Sequence, residues 1–169
     1  MKRTKLFLLF VLILLYGCSS SKESFDDIVE IEKEAFSRVL IIPILVSTYQ
    51  FNNNIFPKDM SQVDSFISSE DFPCNEKINY KPFFFDSLYS NVDFLDSNDT
   101  LQNIKINLRP FTIDSFNVFG GDADIILHKV KKDSTFDFEI KTLTVRYTED
   151  QSIKANMGGK LKTSIIKCN

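Results

Sequence analysis

The chain divides into three stretches by the pattern of its apolar positions. Leu6 to Leu15 is an unbroken apolar run preceded by Lys2, Arg3 and Lys5. It is too short for a bilayer span and reads as a secretory signal. From Ser24 to about Phe51, the residues Ile28, Ile31, Ala35, Val39, Ile42, Val46 and Tyr49 recur at spacings of three and four. That spacing predicts one face of a long helix, widened by Val29, Phe36 and Leu40. Ser24 can cap the helix, and Asp26, Asp27, Glu30, Glu32 and Glu34 crowd the positive end of its dipole. Pro43 lacks a donor and crowds the preceding turn, which predicts a kink or break near Val39 to Ile42. Asn52-Asn53-Asn54 ends the pattern. Asp59 to Ile67 predicts a short second helix with Met60, Val63, Phe66 and Ile67 on its apolar side. Ser68 to Glu76 reads as polar loop.

From Ile78 onward the period becomes two. Strands are predicted at Ile78–Phe85, Leu101–Arg109, Phe111–Phe119, Ala123–Lys131, Thr135–Tyr147, Ser152–Met157 and Lys160–Cys168. Ile104, Ile106 and Leu108 alternate with Lys105, Asn107 and Arg109, the mark of a half-buried strand. Gly120-Gly121 reads as a hairpin turn. Lys132-Asp133-Ser134, Glu149-Asp150-Gln151 and Gly158-Gly159 read as further turns. In Thr135–Tyr147 the apolar set changes phase, from Phe136, Phe138 and Ile140 to Leu143, Val145 and Tyr147. A bulge or bend near Lys141-Thr142 would account for it. Short turns between successive strands make an antiparallel meander the economical topology. The expected fold class is α+β, a long N-terminal helix packed on an antiparallel meander.

Leu15-Tyr16-Gly17-Cys18 resembles the lipobox of bacterial lipoproteins. The resemblance implies cleavage before Cys18 and acylation of the cysteine thiol and amine. The expected organisation is then a signal peptide over 1–17, an acylated cysteine with a flexible tether over 18–24, and one α+β domain over 25–169. An apolar N-terminal anchor left uncut is the alternative. Two or three acyl chains at Cys18 would hold the protein firmly to a membrane, since each buried methylene contributes about 0.8 kcal/mol. The implied location is the cell envelope, foremost the outer membrane, facing the periplasm or the surface. The order of long helix, Tyr49 to Asp59 (YQFNNNIFPKD) and antiparallel strands is also similar to the globular head of pseudopilins. Here a lipobox cysteine stands in place of the pseudopilins' hydrophobic N-terminal helix, so only shape is carried over.

Charge narrows the partners. The formal net charge is −3 at pH 7. Losing Lys2, Arg3 and Lys5 with the signal would take it to −6. An acidic domain argues against nucleic acid as a partner. The absence of Trp and the 17 Phe residues make Phe the main bulky core residue. Of the three cysteines, Cys18 is the lipid attachment site that the lipobox resemblance implies, which leaves Cys74 and Cys168. An even pair in an exported protein suggests a disulfide worth roughly 3–5 kcal/mol. Two free buried thiols are the other reading. A zinc site lacks the paired ligands at short spacing that such sites use, and no metal or cofactor is expected.

Candidate chemistry is sparse. No G-x-S-x-G elbow occurs, and His128 is the one histidine. A lone strand histidine is more often structural than catalytic. Asp122 and Asp124 lie two apart and can share a cation or a proton, or simply flank a solvated turn. Asp93, Asp96, Asn98 and Asp99 lack the glycine and the closing Glu of a calcium loop. Gly158-Gly159-Lys160 is followed by Leu161, so the phosphate-loop pattern fails. Phe83, Phe84 and Phe85 cannot all face one core in an extended segment, because neighbours alternate faces. They mark either a strand covered on both sides or an apolar groove for a lipid or a partner protein. The expected function is that of a non-enzymatic envelope lipoprotein whose domain binds another envelope component, with an envelope protein as partner. A carrier or sensor of an apolar ligand such as lipid is the alternative.

Overall fold

Burial follows the helical stripe. The computed structural model describes residues 25–73, 87–113, 116–147, 152–155 and 159–167. Helix α1 (Phe25–Asn53) places Ile31, Ala35, Val39, Ile42 and Val46 at no more than 2% exposure, with Leu45 beside them. These residues pack on the sheet described below. Tyr49, at the end of the stripe, turns instead to helix α2 (Met60–Ile67), where its ring meets Phe66 edge-on at 5.4 Å. Asp59 caps α2 by accepting from the Gln62 N–H at 3.1 Å. Val63, Phe66 and Ile67 form its buried side, as their spacing predicts.

Of the kink or break expected near Val39 to Ile42, the break does not occur, and α1 runs through Pro43 as one helix. Pro43 leaves the Val39 carbonyl without its helical donor, at a cost of about 3 kcal/mol. Burying Val39, Ile42, Leu45 and Val46 contributes about 1.5–3 kcal/mol each. Packing therefore outweighs propensity.

The strands are β1 (Tyr89–Ser97), β2 (Leu101–Leu108), β3 (Phe111–Ile113), β4 (Phe116–Val118), β5 (Gly120–His128), β6 (Thr135–Arg146), β7 (Ser152–Ala155) and β8 (Lys160–Ser164). The main sheet has the order β1-β2-β5-β6-β7, with β8 also on β6, and every pairing is antiparallel. β8 pairs with Thr135–Glu139 and β7 with Leu143–Arg146, so the two lie end to end along one edge of β6. Ile104, Ile106, Ala123, Ile125, Leu127, Phe136, Phe138, Ile140, Leu143 and Val145 form the buried face under α1. This is the expected α+β arrangement of a helix on an antiparallel sheet.

Four details differ from the pattern reading. Phe111–Phe119 is not one strand but two short ones, β3 and β4, paired as a ribbon through Phe111–Val118 and Ile113–Phe116. Gly120-Gly121 is not a turn. The two glycines open β5, opposite Arg146 and Val145 of β6, and Gly121 also faces Leu108 of β2. Gly120 has φ +104°, and a Cβ there would lie 2.6 Å from the Leu108 carbonyl oxygen. The glycines thus serve close backbone approach. β1 is not among the expected strands: Tyr89, Val92 and Phe94 face Leu108, Ile106 and Ile104 of β2, but a register shift between Tyr89 and Asn91 interrupts the period of two. β8 stops at Ser164, where the chain turns inward. The Ile165 N–H donates to the Ser134 carbonyl at 3.1 Å and the Ile166 N–H to Thr48 Oγ1 at 3.2 Å.

The phase change in β6 is a bulge. Asp124 faces Thr142 whereas Ile125 faces Ile140, which leaves Lys141 as the extra residue. The expected strand Ile78–Phe85 lies outside the described residues.

Candidate functional site

One sheet face is covered by α1, and the other carries the polar half of each strand. Register places Asn91, Asn107, Asp122, Thr144 and Lys154 in one cross-strand row. Asp93, Lys105, Asp124 and Thr142 form the next row. Within it Thr142 Oγ1 donates to Asp124 Oδ2 at 2.9 Å. Asp122 and Asp124 are thus on one face, as expected, but occupy separate rows about 6–7 Å apart along the strand. That spacing does not let them share a proton.

His128 lies on the same outer face, with Nε2 3.4 Å from Glu139 Oε1 on β6. Glu139 Oε2 also accepts from Lys141 Nζ at 2.6 Å. The Lys141 ammonium, helped by His128, holds the Glu139 carboxyl below the usual carboxylate range. A carboxylate so held is a weak proton acceptor. Among the described residues, no group of three His, Cys, Asp or Glu side chains is placed to hold a metal ion.

The acidic run that begins in β1 and ends in the β1–β2 turn disperses into separate tasks. Asp93 Oδ1 accepts from Asn91 Nδ2 at 2.8 Å. Asn98 Oδ1 accepts from the Thr100 N–H at 2.8 Å and the Leu101 N–H at 3.0 Å, which builds the β1–β2 turn. The Asp96 carbonyl accepts from Asn103 Nδ2. Gly159 sits in a bend with open space around it, and Lys160 begins β8. Cys18, Cys74, Cys168, Phe83, Phe84 and Phe85 lie outside the described residues. Among the described residues, no helix is long and apolar enough to cross a membrane.

A feature missed by the pattern reading lies where the C-terminal end of α1 meets the β5–β6 turn. Gln50, Phe51, Asn54, Lys129, Val130, Lys131 and Lys132 line a shallow depression of about 320 Å³ there. The turn is tied to its surroundings. The Val130 N–H donates to the buried Gln50 Oε1 at 3.0 Å, and Lys131 N–H to the Thr135 carbonyl at 2.8 Å. Ser134 adopts φ +63° and its N–H donates to the Lys131 carbonyl at 2.9 Å. Asp133 Oδ1 accepts from Thr135 Oγ1 and from its N–H, and these bonds hold the Asp133 carboxyl below its ordinary range. Lys131 Nζ is drawn to Asp137 Oδ2 at 2.6 Å. Three lysines in four positions was the available sequence signal, but only the fold shows an apolar helix end beside them.

Comparison with family models, with curated proteins and with solved structures finds no match.

Proposed function

We propose that the chain is a lipid-anchored envelope module, held to a membrane through acyl chains on Cys18, whose globular domain binds another envelope component. The anchoring part rests on the Leu15-Tyr16-Gly17-Cys18 motif behind its basic and apolar leader. The binding part rests chiefly on how the helix meets the sheet. Ala35, Val39, Ile42 and Val46 are fully buried over Leu127, Phe136 and Ile140, each at most 1% exposed. Among the described residues, side chains fill the space between helix and sheet. This supports a binding module over a carrier with its ligand between helix and sheet.

The test is intact-mass analysis of protein extracted from membranes. The expected species lacks residues 1–17 and carries fatty acyl mass on Cys18, and Cys18→Ser leaves the precursor uncut. A soluble, unmodified protein with another N-terminus would sink the anchoring. Stoichiometric lipid in native mass spectra of the acylated protein, beyond its covalent chains, would favour the carrier instead.

A further inference from the structure

Of the surfaces on the described residues, the α1 end and the β5–β6 turn combine charge, concavity and rigidity. The whole chain is acidic, with net charge −3, yet exposed Lys129, Lys131 and Lys132 fall within four positions, around a half-buried Val130. Lys131 is paired with Asp137, whereas among the described residues neither Lys129 nor Lys132 is in an ion pair. Phe51, which lines the depression with them, is 39% exposed. Exposed apolar side chains next to uncompensated ammonium groups suit a partner that offers carboxylates and an apolar side chain together.

We propose that this end of the domain docks an acidic peptide segment of an envelope protein. Lys129 and Lys132 pair with its carboxylates, and the depression over Phe51 and Val130 seats one of its apolar side chains. The proposal rests on the binding-module reading above and names the surface and partner chemistry for it. Two observations favour a peptide over a lipid surface. The depression is concave and about 320 Å³, the scale of a protruding side chain, whereas a bilayer is broad and flat. The turn is also fixed in advance by its bonds to Gln50, Thr135 and Asp133. A site ordered before binding loses less entropy on docking.

The experiment uses the acylated full chain in nonionic detergent. The probes are a fluorescent Glu-Glu-Phe-Glu-Glu peptide, its Lys-Lys-Phe-Lys-Lys counterpart, and glycerol phosphate as the soluble headgroup of an anionic lipid. The acidic peptide is expected to bind saturably, more weakly as salt is added, and the basic peptide not to bind. Reversing both charges with Lys129→Glu and Lys132→Glu should weaken binding roughly tenfold or more. Lys154→Glu, on the outer sheet face, should leave it unchanged. Melting curves check folding, and Lys129→Gln with Lys132→Gln replaces the charge reversal if that variant melts early. Absence of saturable binding, equal binding of the two peptides, or indifference to the lysine variants overturns the proposal. Binding of glycerol phosphate through these lysines without peptide binding also overturns it and assigns the turn to lipid headgroups. Failure here with acyl mass still present on Cys18 removes the docking site and leaves the anchoring untouched.

Discussion

At Gly121 a single methyl group has nowhere to go. An added Cβ would collide with the Thr144 carbonyl oxygen across the β5–β6 pair, and backbone cannot swing aside as a long side chain can. Gly121→Ala should therefore destabilise by about 1–3 kcal/mol. Gly159→Ala, with nothing within 4 Å of the new atom, should be close to neutral. Urea unfolding of the two variants compares them directly. Titration supplies a second prediction at this scale. Asp59 is held below its ordinary range by Ser61 and the Gln62 N–H, and Asp137 by Lys131. Asp133 and Glu139 are lowered as well, by Thr135 and by Lys141. A carboxyl that is more acidic folded than unfolded contributes stability above its unfolded range and loses it as pH falls through its folded value. The melting temperature should hold from pH 7 to about pH 5 and drop below about pH 4. Asp133→Asn should flatten part of that drop in melts followed by circular dichroism.

Among the elements, α1 has the clearest division of labour. Ile42 is fully buried against the sheet and Ser37 is exposed. Ile42→Asp should cost several kcal/mol, because it leaves a charge unpaired in an apolar interface, and Ser37→Asp should cost little. Equal shifts in melting temperature would mean that the helix does not depend on this face. The helix is legible because its stripe, Ile28 to Tyr49, keeps the helical period for about six turns. The Lys141 bulge was legible for a related reason, since a change of phase in the apolar set has few other causes. What misled were residues with two uses. Pro43 reads as a breaker, but burial of its neighbours overrides it. Gly120-Gly121 reads as a turn, but two strands approach there too closely for a side chain. β1 is hidden in the pattern because register shifts at both its ends leave only Val92 and Phe94 in phase, and Leu95 follows directly. The basic turn was seen only as a turn, since nothing local reveals that Phe51, some eighty positions earlier, lies beside it.

At the scale of the whole molecule, two segments far apart in sequence are tied to the end of α1, one directly and one through α2. Phe72 meets Phe66 edge-on at 5.5 Å, and Phe66 meets Tyr49 in the same way. Ile166 is bonded to Thr48. Cys74 and Cys168, both outside the described residues, each follow one of these anchored residues by two positions, and we predict that they pair. Non-reducing peptide mapping of protein isolated from the envelope should find them joined. Reduction should then lower stability by about 4–5 kcal/mol for a loop of this length. Two free thiols in that map would refute the bridge.

The pairing of α1 with β6 also orders events in time. Ile42 is covered by strands that include Ile140, about a hundred positions later in the chain. Synthesis runs from the N-terminus at about 5–20 residues per second. The stripe of α1 therefore leaves the ribosome roughly 5–20 seconds before its cover exists. Through that interval the newborn chain displays its most adhesive surface and cannot hide it. Contacts so distant in sequence also close slowly. Until β6 arrives, that face lacks the largest share of the cover it has in the folded domain.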